Sequence, residues 1–345
     1  MSTMRALVVA TSWLGDLVMA GALTARLAEQ GAEVTMLASR ALAPLAERLH
    51  GVSGVLIHDL NRGSLELRER WRLGERLRRE RFASAYVLPN TFKAALAPAF
   101  ARIPRRVGWL GEQRRGVLND WRRLDKLRYP RMVERFVALA EPAGSPLPEP
   151  LPTPALVVAD DARSWRESLG VDPGRPLLVL APGAAFGPAK RWPVAHFRSL
   201  ADRALAAGWQ VVLVGGPAEQ PLARELMDGQ AAGELLDTVG TLTLDRVVDL
   251  LAGADRVVAN DSGLLHVAAA LDRPTVALYG SSSPDFTPPL SAAATVLKLD
   301  LPCAPCFQRV CPFGHTRCLT ELSPERVWSA LTSPEPELPS SAAGG

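Results

Sequence analysis

The sequence predicts an α/β protein made of two doubly wound domains, each built on a parallel sheet. Three observations carry the prediction. The chain has 345 residues, 48% of them hydrophobic, which is ample for two packed cores. Short apolar runs alternate with helical patterns along both halves. A proline-rich stretch, residues 142–154, can continue neither helix nor strand and separates the halves as a stiff linker. The expected division is therefore residues 1–150, residues 151–333 and a disordered tail, 334–345, whose Ser, Pro, Glu and Gly composition buries no surface.

In the first half, Arg5–Ala10 reads as a buried parallel strand and Leu17–Gln30 as a helix closed by Gly31. Strands at Glu33–Leu37, Gly54–His58 and Ser84–Leu88 follow, separated by helices at about 41–50 and at Ser64–Arg81. The second half restarts with strand Leu177–Ala181 and a helix after Pro193. Strand Trp209–Val214 leads into a helix from about Pro217, and a strand near Leu235–Val239 into a helix from Leu244. Strand Asp255–Ala259, a helix from Ser262 and strand Pro274–Tyr279 complete the pattern. Apolar runs separated by helices are the mark of parallel sheets covered on both faces.

Charge divides the chain unevenly. Lys and Arg exceed Asp and Glu by nine in residues 1–150 (24 against 15) and fall short by six in residues 151–345 (15 against 21). A basic first half suits an anionic partner such as a phosphorylated glycolipid, a nucleic acid or a membrane surface, and equally suits solvated helix faces. No run of eighteen apolar residues and no secretory leader pattern is present, which predicts a soluble cytoplasmic protein.

Ligands of open parallel sheets sit beyond the carboxyl ends of the strands, so the loops there are where chemistry belongs. After the first strand comes Thr11-Ser-Trp-Leu-Gly-Asp16; Asp16 opens a helix, either as a favourable helix-start charge or as a general base facing the cleft. After Leu177–Ala181 the segment Pro182-Gly183 to Lys190-Arg-Trp-Pro193 offers small residues for backbone approach and a point charge, Lys190, suited to a departing pyrophosphate. After Asp255–Ala259, Asn260-Asp261-Ser262-Gly263-Leu-Leu-His266 runs straight into a helix, whose unpaired amides form an anion site with His266 one turn in. Asp261 there binds sugar hydroxyls, orients Lys190 or caps the helix. Glu219, after Gly215-Gly216, is suited to a ribose diol. Neither G-x-G-x-x-G nor G-x-x-x-x-G-K-[ST] occurs, which argues against a dinucleotide oxidoreductase or a P-loop kinase.

Ser12–Asp16, Tyr86–Lys93, Pro182–Pro193, Asn260–His266 and Tyr279–Pro289 together resemble the ADP-heptose:lipopolysaccharide heptosyltransferases, most nearly the heptosyltransferase II branch, over about residues 4–330. The resemblance implies a GT-B architecture, with an N-terminal acceptor domain and a C-terminal ADP-heptose domain facing each other as Rossmann-like units. It implies an inverting transfer of L-glycero-D-manno-heptose from ADP-heptose to the heptosyl-Kdo inner core of lipopolysaccharide, at the inner face of the inner membrane. Asp16 matches the family's base. Lys190 and Asp261 match its donor-site charges, and Ser262, Gly263 and His266 its phosphate loop; Gly183, inside the Pro182–Pro193 motif, and Glu219, from its loop position alone, are added to the expected donor side. Asn90 and Lys93, inside the Tyr86–Lys93 motif, are expected acceptor contacts; Arg62, Arg114 and Arg115, outside any motif, are added only as basic residues in or near loops of the first half.

No Asp-x-Asp metal pair is evident, so the expected reaction needs no metal and no cofactor. The rivals are heptosyltransferase I or III with another core acceptor, a nucleotide-sugar epimerase of the same fold, and a basic membrane or nucleic-acid binder; the last leaves the donor loops unexplained, and no nucleic-acid partner is expected. One departure from the enterobacterial enzymes is Cys303-x2-Cys306-x4-Cys311-x6-Cys318. It lies outside the expected catalytic loops in sequence, and its spacing admits a structural zinc site, with His315 as an alternative ligand, or free or oxidised thiols.

Overall fold

The computed structural model describes residues 4–61, 63–229 and 235–333. Twelve strands form two six-stranded sheets among the described residues. The first comprises β1 (Met4–Val9), β2 (Ala32–Ser39), β3 (Gly54–His58), β4 (Ser84–Val87), β5 (Arg105–Trp109) and β6 (Asp120–Arg122), in the order β3-β2-β1-β4-β5-β6. The second comprises β7 (Leu177–Ala181), β8 (Gln210–Leu213), β9 (Leu235–Asp237), β10 (Arg256–Asn260), β11 (Thr275–Leu278) and β12 (Ala294–Leu297), in the order β12-β11-β10-β7-β8-β9. Every pairing is parallel. Both sheets thus share one Rossmann-like topology, and in each the strand order reverses between its first and fourth strands. The loops after β1 and β4, and after β7 and β10, flank these two crevices.

The central strands are apolar throughout because helices cover both faces: Ala6, Leu7 and Val8, and Leu178 to Ala181, are fully buried. One apolar cluster runs from Val8 and Tyr86 in the first sheet to Val179 and Ala259 in the second, so the two domains share part of their core. The Leu14–Met19 helix of the first domain packs on the Gly263–Ala270 helix of the second. Glycines permit that approach: a Cβ on Gly263 would lie 2.2 Å from Leu14 Cδ2, and one on Gly15 would lie 2.8 Å from His266 Cδ2. Away from this contact, Arg48 reaches across to Asp249 at 3.2 Å.

Several expected elements change shape. The first helix is two, Leu14–Met19 and Gly21–Glu29, and the helix expected at about 41–50 shrinks to Ala43–Ala46. The charged helix begins at Leu67 rather than Ser64, because Glu66 adopts a left-handed conformation (φ 43°). Strands β5, β6 and β12 are additions: β5 opens with two arginines and β6 has three residues, so neither presents an apolar run. The proline-rich stretch is no free spacer. Pro154 packs on Gly21, and the chain immediately after it pairs with the first domain, His50 donating to Ala155 O and Val157 to Arg48 O. The expected tail, 334–345, and Arg62 lie outside the described residues.

Candidate active site between the two domains

The loops after β7 and β10 are stitched together by Asn260, fully buried at the end of β10. Its amide donates to Pro182 O at 2.8 Å and its carbonyl accepts from Trp192 N at 2.9 Å, locking both ends of the loop that carries Lys190. Lys190 Nζ then meets Asp261 Oδ2 at 2.5 Å, and the Ser282 hydroxyl donates to the same carboxylate oxygen. His266 Nε2 stands 4.0 Å from the other oxygen, and burial lowers its pKa, so the imidazole is neutral and carries one N–H. Asp261 thus accepts from two donors, Lys190 and Ser282, with His266 close by. Its electrostatic misfit beside an anion is offset by Lys190.

Ser262 sits at the N-cap of the Gly263–Ala270 helix without capping it. Its hydroxyl is buried and, among the described residues, lacks a hydrogen-bond partner, as does that of Ser281. Buried hydroxyls are normally satisfied, so the Ser262 hydroxyl at this helix start marks a place built for an acceptor-rich ligand, whereas Ser281 lines the small cavity of the cysteine segment. Gly183 is required for a different reason: a Cβ there would overlap the Glu219 carboxylate. Glu219 in turn accepts from Gly216 N at 2.8 Å, which holds it beside the loop after β7.

Asp16 is the third residue of its helix, in the turn that packs on His266 and Gly263. The expectation that the helix start would favour its ionised form is corrected. Burial dominates and pushes its pKa up to about 6, with Lys190 opposing and Asp261 reinforcing the shift. The three groups therefore lie within electrostatic reach across the domain junction.

On its other side Asp16 borders a cavity of about 430 Å³ in the first domain, lined also by Trp13, Asn90, Lys93, Trp109, Met132 and Arg135. Of the expected acceptor contacts, Asn90 and Lys93 line it. Arg114 does not: it is fully buried, and its guanidinium donates to Trp109 O at 3.0 Å, Pro89 O at 2.5 Å and Asn90 Oδ1 at 3.1 Å. Burial lowers its pKa to about 10, and its work is to shape the loop after β4. Arg115 is exposed and lies over Trp121, 5.0 Å from the ring centroid, outside the cavity. A larger cavity, about 750 Å³, opens among Asp255, Arg256, Asp272 and Arg273 at the opposite ends of β10 and β11, away from the loops described above.

The cysteine segment is corrected on two counts. Cys303, Cys306, Cys311 and Cys318 are free thiols that line one small cavity with His315. Among the described residues, however, no group of three or more His, Cys, Asp or Glu side chains has an arrangement that holds a metal, so the zinc expectation is not supported. The segment also lies against the loop that carries Lys190 rather than apart from it. Arg309 O accepts from Ala189 N at 3.1 Å, Phe307 N donates to Ser281 O at 2.6 Å, and Arg309 lies 5.1 Å from the Phe186 ring that Lys190 also faces. Chain spacing concealed this, since more than a hundred residues separate Ala189 from Arg309. Asn260 and Ser282 stood inside quoted motifs without a role, whereas Arg135 carried no sequence signal.

Residues 70–317 match glycosyltransferase family 9 (heptosyltransferase). The chain is 42% identical to lipopolysaccharide heptosyltransferase 2 of Salmonella typhimurium over 341 residues, covering 96% of this chain and 98% of that protein. It is 41% identical to the Escherichia coli enzyme of the same name, again covering 96% and 98%. The solved structure of E. coli ADP-heptose LPS heptosyltransferase II superimposes with a TM-score of 0.86 at 40% identity, covering 95% of this chain and 97% of that one.

Proposed function

Because the chain belongs to glycosyltransferase family 9, the heptosyltransferases, we propose that it transfers L-glycero-D-manno-heptose from ADP-heptose to the heptosyl-Kdo inner core of lipopolysaccharide, with inversion. The observation that carries this reading is the position of Asp16, half-buried at the domain junction between an open cavity and the Lys190–Asp261 pair. In this reading the first domain takes the acceptor and the second the donor.

The acceptor hydroxyl attacks the anomeric carbon from the side opposite the diphosphate. A carbon–oxygen bond forms as the bond to ADP breaks, and the hydroxyl proton passes to Asp16. Lys190, the Ser262 hydroxyl and the helix-start amides at Gly263 receive the charge that develops on the leaving diphosphate. His266 supplies a further neutral donor, and Glu219 takes the ribose hydroxyls. Asn90 and Lys93 line the acceptor side. The acceptor is lipid-linked and the enzyme works at the cytoplasmic face of the inner membrane; none of the described helices is long and apolar enough to cross a membrane.

Acceptors bearing zero, one or two heptoses test the assignment. Fastest transfer to the one-heptose core is expected. Preference for the heptose-free or the two-heptose core would move the enzyme to the first or third step, and donor consumption without acceptor would indicate epimerisation.

A further inference from the structure

Arg135 is the cation in the cavity beside Asp16 that no motif announces. It belongs to the Met132–Val137 helix, and its guanidinium is fixed within its own domain by donation to Tyr129 O at 2.9 Å and Pro130 O at 3.3 Å. Among the described residues no carboxylate forms an ion pair with it, since its neighbour Glu134 folds back onto Arg131 at 2.8 Å. A half-buried, unpaired guanidinium with fixed geometry is poised for a planar anion.

The opposite domain completes the arrangement. Arg135 Cζ stands 4.7 Å from the centroid of the Phe286 ring, in the loop after β11, and Phe286 O accepts from Met132 N at 3.0 Å. That loop is braced: Phe286 N and Thr287 N both donate to Ser283 O, and the Tyr279 hydroxyl donates to Thr287 O at 2.5 Å. It also carries Ser282, which holds Asp261 on the donor side. One loop therefore touches both the charge that faces the donor and the cation in the acceptor cavity.

We propose that Arg135 binds an anionic group of the acceptor, a carboxylate or a phosphate near the attacking hydroxyl, and that Phe286 of the facing domain is a positioning residue that holds the guanidinium for it. The inference rests on the heptosyl-transfer reading above. The acceptor site is then complete only where the two domains meet.

The test is steady-state transfer from ADP-heptose to a heptosyl-Kdo acceptor, with and without phosphate on its heptose, together with ADP affinity and thermal stability of each variant. Arg135→Gln should raise the acceptor KM by about tenfold or more, the scale of a lost charged hydrogen bond, with kcat within about threefold and ADP affinity unchanged. Its KM should also lose part of the salt dependence of the wild type. Phe286→Leu should raise the acceptor KM by about two- to fivefold, the scale of a cation–π contact, and Phe286→Tyr should restore it. An Arg135→Gln effect confined to the phosphorylated acceptor identifies a phosphate; an equal effect on both identifies the carboxylate.

If the wild type transfers heptose and Arg135→Gln keeps an acceptor KM within about twofold, this inference fails while the functional reading stands. If the wild type transfers no heptose, both fail. Should Arg135→Gln not fold, the Phe286 pair decides: equal KM for Leu and Tyr, both at the wild-type value, overturns the proposal.

Discussion

Asp16 illustrates how environment overrides residue type. Its carboxyl is pushed up to about 6, chiefly by burial, so the protonated form is favoured by the fold. A base must be ionised, and kcat/KM, which follows the free enzyme, is therefore expected to fall on the acid side with a limb near pH 6 rather than near 4; a kcat/KM flat down to pH 5 would contradict it. The stability consequence has a definite sign. A raised carboxyl pKa favours the fold fully below about 3.8, and that contribution is lost as pH rises through about 6. Asp16→Asn should thus be at least as stable as the wild type at pH 8, with any advantage vanishing below pH 4 in thermal melts. Arg114 makes the converse point. Sequence position suggested an acceptor contact, but its hydrogen bonds end on the backbone carbonyls of Trp109 and Pro89 and on the Asn90 side chain, so Arg114→Ala should cost about 3 kcal/mol of unfolding free energy in denaturant melts by leaving buried acceptors unpaired. A changed acceptor KM at unchanged stability would restore it to the binding site. Asp16, Lys190 and Asp261 were legible because each ends a strand-loop-helix unit. Arg135 was not, because its meaning depends on Phe286, some 150 residues away.

Among the elements, the strands with continuous apolar runs were legible and the short polar ones were not. β1, β7 and β10 fall within about one residue of expectation, since burial on both faces leaves no choice of residue type. β6, Asp120–Arg122, lies at a sheet edge and carries charge, and the Met132–Val137 helix is too short for periodicity to reveal. The crossing of the Leu14–Met19 and Gly263–Ala270 helices was read only in half: Gly263 was assigned amides for a phosphate, while its packing against Leu14 was invisible. That packing is testable. Gly263→Ala should cost about 1–3 kcal/mol and lower kcat, because the new methyl pushes the Asp16 helix away. Adding Leu14→Ala should recover most of the stability, whereas strictly additive losses would remove the steric explanation.

At the scale of the whole molecule, two copies of one topology are turned so that their strand-order reversals face each other. Each domain alone presents ordinary loops. Together they set a carboxylate of raised pKa from one against a lysine and a helix N-terminus from the other. The shared core and the Arg48–Asp249 pair hold the domains in register at some distance from this chemistry. The doubling of the fold was legible from the alternation of elements. The shared core was not, because the proline-rich stretch reads as a spacer and instead packs along the first domain.

The central claim is that Asp16 completes, from the acceptor domain, a site whose donor half is already assembled. The most direct measurement is turnover and ADP-heptose affinity of Asp16→Asn on one preparation of folded protein. Asparagine keeps the shape of the side chain but cannot take the proton, so kcat should fall by about 10²-fold or more while donor affinity stays within about twofold. A folded, donor-binding variant that retains more than about a third of normal turnover would contradict the account.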